Sequence, residues 1–203
     1  MNKNKNEYDA AYAERQLLRS RNPLRRFVKN FYLANILNDI EGSTIDFGCG
    51  AGQLLARLPP DSLGLEVNLH LVRALTAAGM NVEHYDPSAD GLTFSQLPEK
   101  KFKTFVMSHV LEHFEDAENG LKQILASCLR LGVQKVIVVV PGQKGYLFDH
   151  THRTFVTKNY IKDRGLIETT GYQVRSFTYF PVNMETMGNL FIFHEMKIVY
   201  EKC

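Results

Sequence analysis

Two carboxylates and three glycines lie at spacings that can hold a nucleoside. Asp46-Phe47-Gly48-Cys49-Gly50-Ala51-Gly52 follows a short apolar run, and Glu66 comes 20 residues after Asp46. Glycines let the chain turn sharply and let a ligand approach the backbone with no Cβ in the way. A helix opening after such a turn offers free N–H groups. An acidic side chain ending the next strand can accept hydrogen bonds from both hydroxyls of a ribose. The same ingredients also describe a dinucleotide site. Two details separate them. The spacing here is G-x-G-x-G rather than G-x-G-x-x-G, and an acidic residue precedes the first glycine. That residue suits a ligand carrying an ammonium group rather than a pyrophosphate.

The histidines form a second set. His109-Val110-Leu111-Glu112-His113 matches H-x-x-E-H, the zinc pattern of inverted-motif metallopeptidases. On a helix the two histidines would share a face, with Glu112 as base. However, His109 directly follows a strand-like run, Lys103–Ser108, which leaves little helix before it. A zinc site would also leave the glycine turn and Glu66 unexplained. The expectation is therefore no metal, with His109 at the edge of an active site and Glu112 and His113 capping or packing the next turn. Asp149-His150-Thr151-His152 follows a later strand, where loops of such sheets form the ligand crevice. His109, His150 and His152 are the candidates to take a proton from an acceptor or to orient it. A packed or hydrogen-bonded loop histidine is the plain alternative for His150 and His152, and no third metal ligand is evident beside them.

These residues need elements to place them. Tyr8, Ala11, Tyr12, Arg15 and Leu18 recur at helical spacing, as part of a lid or an ordinary amphipathic helix. Asn22-Pro23 reads as an N-cap with proline at the first helical position, opening a second helix to about Asp39. From Gly42 the pattern changes to strand–helix alternation. Strands are expected at Ser43–Phe47, Leu63–Val67, Asn81–Tyr85, Lys103–Ser108 and Lys135–Val140. Helices are expected at Gly52–Leu58, at Leu69–Ala78, from Asp116 to about Arg130, and from Thr157 to near Gly171. Gln173–Phe180 and Leu190–Glu201 are close enough in sequence to pair antiparallel. The predicted architecture is α/β: a mostly parallel seven-stranded sheet, helices on both faces and a C-terminal β-hairpin. It forms one domain over residues 1–203, with 1–40 as a helical arm and 41–203 as the core.

Thr44-Ile45-Asp46-Phe47-Gly48-Cys49-Gly50-Ala51-Gly52 resembles the first motif of class I, Rossmann-like, S-adenosylmethionine-dependent methyltransferases. More narrowly, the chain is similar to the small type-11 and type-23 groups, which include quinone-biosynthesis-like enzymes. Ser108-His109-Val110-Leu111-Glu112-His113 resembles their fourth-strand motif. Val138-Val139-Val140-Pro141-Gly142 and the later Asp149…His152 are also similar, so the resemblance spans about residues 40–202. One departure is Phe102-Lys103 before the fourth strand, where these groups often carry an acidic residue. The resemblance implies S-adenosylmethionine as cofactor. Asp46, Gly48, Cys49, Gly50 and Gly52 would border its methionine moiety, and Glu66 with Val67 its ribose. Asp86, in competition with Asp90, would lie near adenine. Ser108 and His109 would face the methyl-transfer region.

Composition narrows the partners. The chain has 203 residues and a net charge of +2, with +5 in residues 1–30 and −3 in the rest. The basic arm suits an anionic partner or a solvated helical face. No apolar run reaches the roughly 18 residues of a membrane span. With no apolar core near Met1 and three scattered cysteines (Cys49, Cys128 and Cys203), a cytoplasmic setting with reduced thiols is expected. The core uses nearly everything after residue 40, leaving only the arm and Gly142–Val156 for recognition. That favours a small-molecule or carrier-linked acceptor over nucleic acid or protein. A non-catalytic cofactor-binding regulator or partner subunit is the alternative.

Overall fold

The computed structural model describes residues 9–21 and 23–203. Tyr8, the Asn22 cap, and Lys3, Lys5 and Glu7 of the basic arm lie outside the described residues. Asp9 opens the first helix, α1 (Ala10–Arg21), by accepting the Tyr12 N–H at 2.7 Å. Helix α2 (Pro23–Leu37) follows.

Among the described residues eight strands form one sheet: β1 (Thr44–Phe47), β2 (Leu63–Glu66), β3 (Val82–His84), β4 (Thr104–Ser108), β5 (Lys135–Pro141), β6 (Glu168–Thr169), β7 (Tyr172–Phe180) and β8 (Glu195–Lys202). Their order is β3-β2-β1-β4-β5-β8-β7-β6, parallel through β5 and antiparallel beyond. The chain runs outward from β1 to β3 and returns to β4 on the other side. The carboxyl ends of β1 and β4 therefore flank the switch point where such sheets bind ligands.

The strands alternate their side chains between two packed faces. Phe105, Met107, Val136, Val138 and Val140 join one cluster with Leu121, Ile124 and Leu125 of α5 (Ala117–Leu131). Val106, Ile137 and Val139 join another with Leu33 and Ile36 of α2 and Leu75 of α3 (Leu69–Ala77). Both faces of β4 and β5 are thus dry, as their continuous apolar runs require. Among the described residues no helix is long and apolar enough to cross a membrane.

Three expectations change. The sheet has eight strands rather than seven. The helix capped by Thr157, α7 (Lys158–Asp163), stops early at Gly165 (φ +64°). The freed residues make β6, joined to β7 through Thr170 (φ 54°) and Gly171 (φ 74°). Two positive φ values at a two-residue turn match the strand twist. Secondly, Gly52–Leu58 is not an α-helix but a turn followed by a 3₁₀ turn at Leu55–Arg57. Gly52 sits at φ +70°, outside the helical region, and Pro59-Pro60 leaves too few residues to repay helix nucleation. Thirdly, the final strand starts at Glu195 instead of Leu190, because residues 190–194 remain in the connecting turn. The antiparallel β7–β8 hairpin itself is present.

Candidate active site

The carboxyl edge of the parallel strands gathers most of the residues singled out above. Gly48 and Cys49 both donate their N–H groups to the Leu65 carbonyl, at 2.8 and 3.2 Å. Gly50 N–H donates to Glu66 Oε2 at 2.8 Å, and Gly52 N–H to the Cys49 carbonyl at 2.9 Å. These four amides are spent on the protein itself. A pyrophosphate needs such amides, so the loop is ill suited to a dinucleotide. The loop also leads into no α-helix, which removes the helix N-terminus expected there. Gly48, Gly50 and Gly52 all have positive φ. A Cβ on Gly50 would meet nothing within 4 Å, so the loop leaves open space at this point. Cys49 differs from its neighbours: its thiol faces the core, where it packs against Gly64. With its amide also engaged, Cys49 shapes the loop and offers no side chain to a ligand there.

Glu66 ends β2 with both carboxylate oxygens oriented. Oε2 accepts from Gly50, and Oε1 accepts from Asn68 N–H at 2.9 Å. Burial raises its pKa, against the lowering effect of the Asn68, Gly50 and Val67 amides. Each oxygen keeps a further lone pair for a ribose hydroxyl.

Asp46 is 2% exposed, and its Oδ2 has no hydrogen-bond partner. Burial pushes its carboxyl up to about 7, and Glu66 adds to the rise, while Lys29 and the Leu55 amide oppose it. A buried carboxylate with an unmatched oxygen fits a ligand that brings a positive charge. Lys29 of α2 was not anticipated. It is an exposed residue, yet burial of its ammonium lowers its pKa against the pull of Glu195 and Asp46.

Beyond β2, Asp86 Oδ1 accepts the Ser88 N–H at 2.9 Å and N-caps α4 (Pro87–Asp90). Asp90 is taken up by Tyr85 Oη, Thr93 Oγ1, Ser95 Oγ and the Phe94 amide, all at 2.6–2.9 Å. Of the two aspartates placed near adenine, Asp86 retains more capacity. Val67 follows β2, with its carbonyl 3.0 Å from His84 Nε2.

Ser108 ends β4 beside Val139, and His109 takes φ +58°, a strained left-handed conformation. His109 Nε2 lies 2.7 Å from Glu195 Oε1, and Nδ1 lies 3.2 Å from Glu112 Oε1. Burial works to lower its pKa, but the two carboxylates outweigh this and hold the imidazole above its ordinary value. The ring is 41% exposed, so water moderates the pairing. The raised pKa favours a ring that donates to both carboxylates. Glu195 was missed because its place depends on register: it opens β8 opposite Pro141, at the carboxyl end of β5.

His150 is exposed, whereas His152 is turned inward toward Glu112. Glu112 and His113 lie in a 3₁₀ turn, Leu111–His113, rather than in a helix. The helical H-x-x-E-H arrangement is therefore absent. The Glu112 carboxylate caps nothing: neither of its buried oxygens has a hydrogen-bond partner.

No curated protein matches the chain by sequence. Solved structures do match in fold. A SAM-dependent methyltransferase from Archaeoglobus fulgidus superimposes with a TM-score of 0.65 at 18% identity, over 87% of this chain and 94% of that one. The magnesium protoporphyrin IX methyltransferase of Synechocystis PCC 6803, with bound SAH, gives 0.59 at 14% identity, over 90% and 88%. A putative methyltransferase complexed with the Haloferax volcanii Trm112 activator gives 0.65 at 12% identity, over 95% and 96%. The family described as "Methyltransferase domain" matches residues 14–176. A glycine loop with its amides spent, an orphaned buried carboxylate and this match across most of the chain agree: the protein belongs to the methyltransferase domain family, with a class I fold and S-adenosylmethionine as its cofactor.

Proposed function

We propose that the protein is a methyltransferase acting on a small-molecule or carrier-linked acceptor, in the cytoplasm. The observation that carries this is the pair of buried carboxylates flanking the glycine loop, Asp46 with its orphaned oxygen and Glu66 with two oriented ones. The cofactor supplies the electrophilic methyl group. Glu66 accepts the ribose hydroxyls, and Asp46 faces the ammonium. Asp86 borders the adenine, and Gly50 leaves room for the methionine portion. Ser108 and His109 line the approach from β4. Holding the acceptor in line and excluding water supplies about 7–11 kcal/mol of barrier reduction in favourable cases.

The acceptor is assigned to a cavity of about 230 Å³ lined by Pro141, Gly142, Val156, Tyr179, His194 and Met196. Its wall includes Pro141 and Gly142, from the end of the Val138–Gly142 segment, and Met196, the neighbour of Glu195. Leu147, Phe148, Leu190 and Phe193 are exposed on the nearby α6 (Gln143–Phe148) and the 190–194 turn, which suits an acceptor with an apolar body. A larger, open depression of about 650 Å³ holds Glu118, Lys122 and Arg164. These already pair with one another, and no residue of either motif lies there.

The test is incubation with methyl-labelled S-adenosylmethionine and fractionated metabolite pools. Label transfer with stoichiometric release of S-adenosylhomocysteine, lost in Glu66→Gln, supports the reading. Tight cofactor binding with no transfer to any pool would favour the regulator instead.

A further inference from the structure

Glu112 is 0% exposed. His109 Nδ1 lies 3.2 Å from Oε1, while Oε2 has no hydrogen-bond partner, so the buried carboxyl keeps acceptor capacity for a ligand. Two histidines converge on it. His152 Nε2 lies 3.8 Å from Glu112 Oε1, and one ring nitrogen each of His113 and His152 groups with a Glu112 oxygen, all within 4.8 Å.

The outer hydrogen bonds decide what these rings present. His152 Nδ1 lies 2.9 Å from the Tyr146 carbonyl. A carbonyl can only accept, so Nδ1 carries a proton, and in the neutral ring Nε2 presents a lone pair. His113 Nδ1 lies 3.4 Å from the Thr151 carbonyl and 3.2 Å from Thr151 Oγ1. Thr151 Oγ1 spends its own proton on Asp149 Oδ1 at 2.7 Å, so His113 Nδ1 is again the donor and Nε2 the lone pair. Backbone carbonyls and a carboxylate-backed hydroxyl thus set both tautomers, as outer-shell partners do around metal ligands. His109 Nδ1 approaches the same oxygen, Oε1, at 3.2 Å.

We propose that Glu112, His113 and His152 bind a divalent transition ion of the zinc type. Two imidazoles and one carboxylate form a borderline donor set, which suits Zn²⁺ or its neighbours better than Mg²⁺ or Ca²⁺ with their oxygen shells. Ligands about 2.0–2.1 Å from a shared ion sit at most about 4.2 Å apart, so small side-chain rotations close the set. Three protein ligands leave a coordination position open. The chain's H-x-x-E-H segment contributes through Glu112 and His113, with His152 from the Asp149–His152 turn as third ligand instead of His109. The site stands on these residues whichever acceptor the enzyme uses.

The test uses purified full-length protein stripped with a chelator, then titrated with Co²⁺ as a coloured surrogate and competed with Zn²⁺. The expected result is one Co²⁺ per chain with visible d–d bands, discharged by Zn²⁺. Glu112→Gln, His152→Ala and His152→Gln should each weaken uptake at least tenfold, with His70→Ala unchanged. Thermal unfolding of the metal-free variants controls for folding, and Glu112→Gln preserves volume. No stoichiometric uptake by folded wild type, or uptake indifferent to Glu112→Gln and both His152 changes, would overturn the proposal. A parallel titration with S-adenosylhomocysteine tests the cofactor site separately, so loss of one activity is distinguishable from loss of the other.

Discussion

Replacing Asp46 with asparagine should stabilise the ligand-free protein at high pH while weakening cofactor binding. The Asp46 carboxyl rises from its ordinary 3.8 to about 7, chiefly because burial disfavours its charge. An acid whose pKa is raised on folding binds more protons in the folded than in the unfolded state across that window. Stability therefore falls as pH climbs from about 4 to about 7. At about 1.36 kcal/mol per pH unit, the loss reaches about 4 kcal/mol once Asp46 is fully ionised. The asparagine side chain would keep an oxygen for the Leu55 amide and carry no charge, so this loss disappears. It would also put an unpartnered NH₂ where Oδ2 lies, costing about 1–3 kcal/mol. The Asp46→Asn variant should thus lie within about 1.5 kcal/mol of wild type at pH 5 and be more stable by about 1–3 kcal/mol at pH 8.5. Lys29 and Glu66 act on the same carboxylate in opposite directions and are present in both proteins. Urea unfolding at several pH values reads the stability, and calorimetric titration with S-adenosylhomocysteine at pH 8 reads binding. Loss of a charge-assisted hydrogen bond to the ligand's ammonium, about 1.5–3 kcal/mol, should weaken affinity at least tenfold. Parallel stability curves for the two proteins from pH 5 to 8.5, or unchanged affinity, would refute the reasoning.

Glu66→Gln should also weaken cofactor binding at least tenfold in the same titration, since one oriented acceptor and the charge are lost. Glu66→Ala should in addition destabilise the ligand-free protein by about 2–6 kcal/mol in urea unfolding, because the Gly50 and Asn68 amides both lose their acceptor. Gly48→Ala should destabilise the protein by at least roughly 1–2 kcal/mol from its φ of +72° alone, with more from a Cβ placed 2.6 Å from Val110 Cγ2. NAD should show no saturable binding by calorimetry, because the loop amides that would hold its pyrophosphate are already spent.

Much of the cofactor half of the site was readable from local pattern. A glycine loop between an apolar run and an acidic strand end is short-range chemistry, and Asp46, Gly50 and Glu66 lie within 20 residues of one another. The caps at Asp116 and Thr157 are equally local, each accepting a nearby amide in its own first turn. Elements set by competition were read less well. Gly52–Leu58 carries helical residues, but the backbone demanded of Gly52 and the Pro59-Pro60 stop overrule them.

The sequence by itself determined the α/β alternation, the glycine loop with its two carboxylates, and membership of the methyltransferase family, because each is written in residues that are close along the chain. Only the tertiary structure decided the rest. It joined Glu195 to His109 across 86 residues, set Lys29 against Asp46, and brought His152 beside Glu112 and His113. Those pairings arise from strand register and from where loops return over the sheet. Neither leaves a local signature, since a side chain's partners across a sheet depend on the packing of the whole chain.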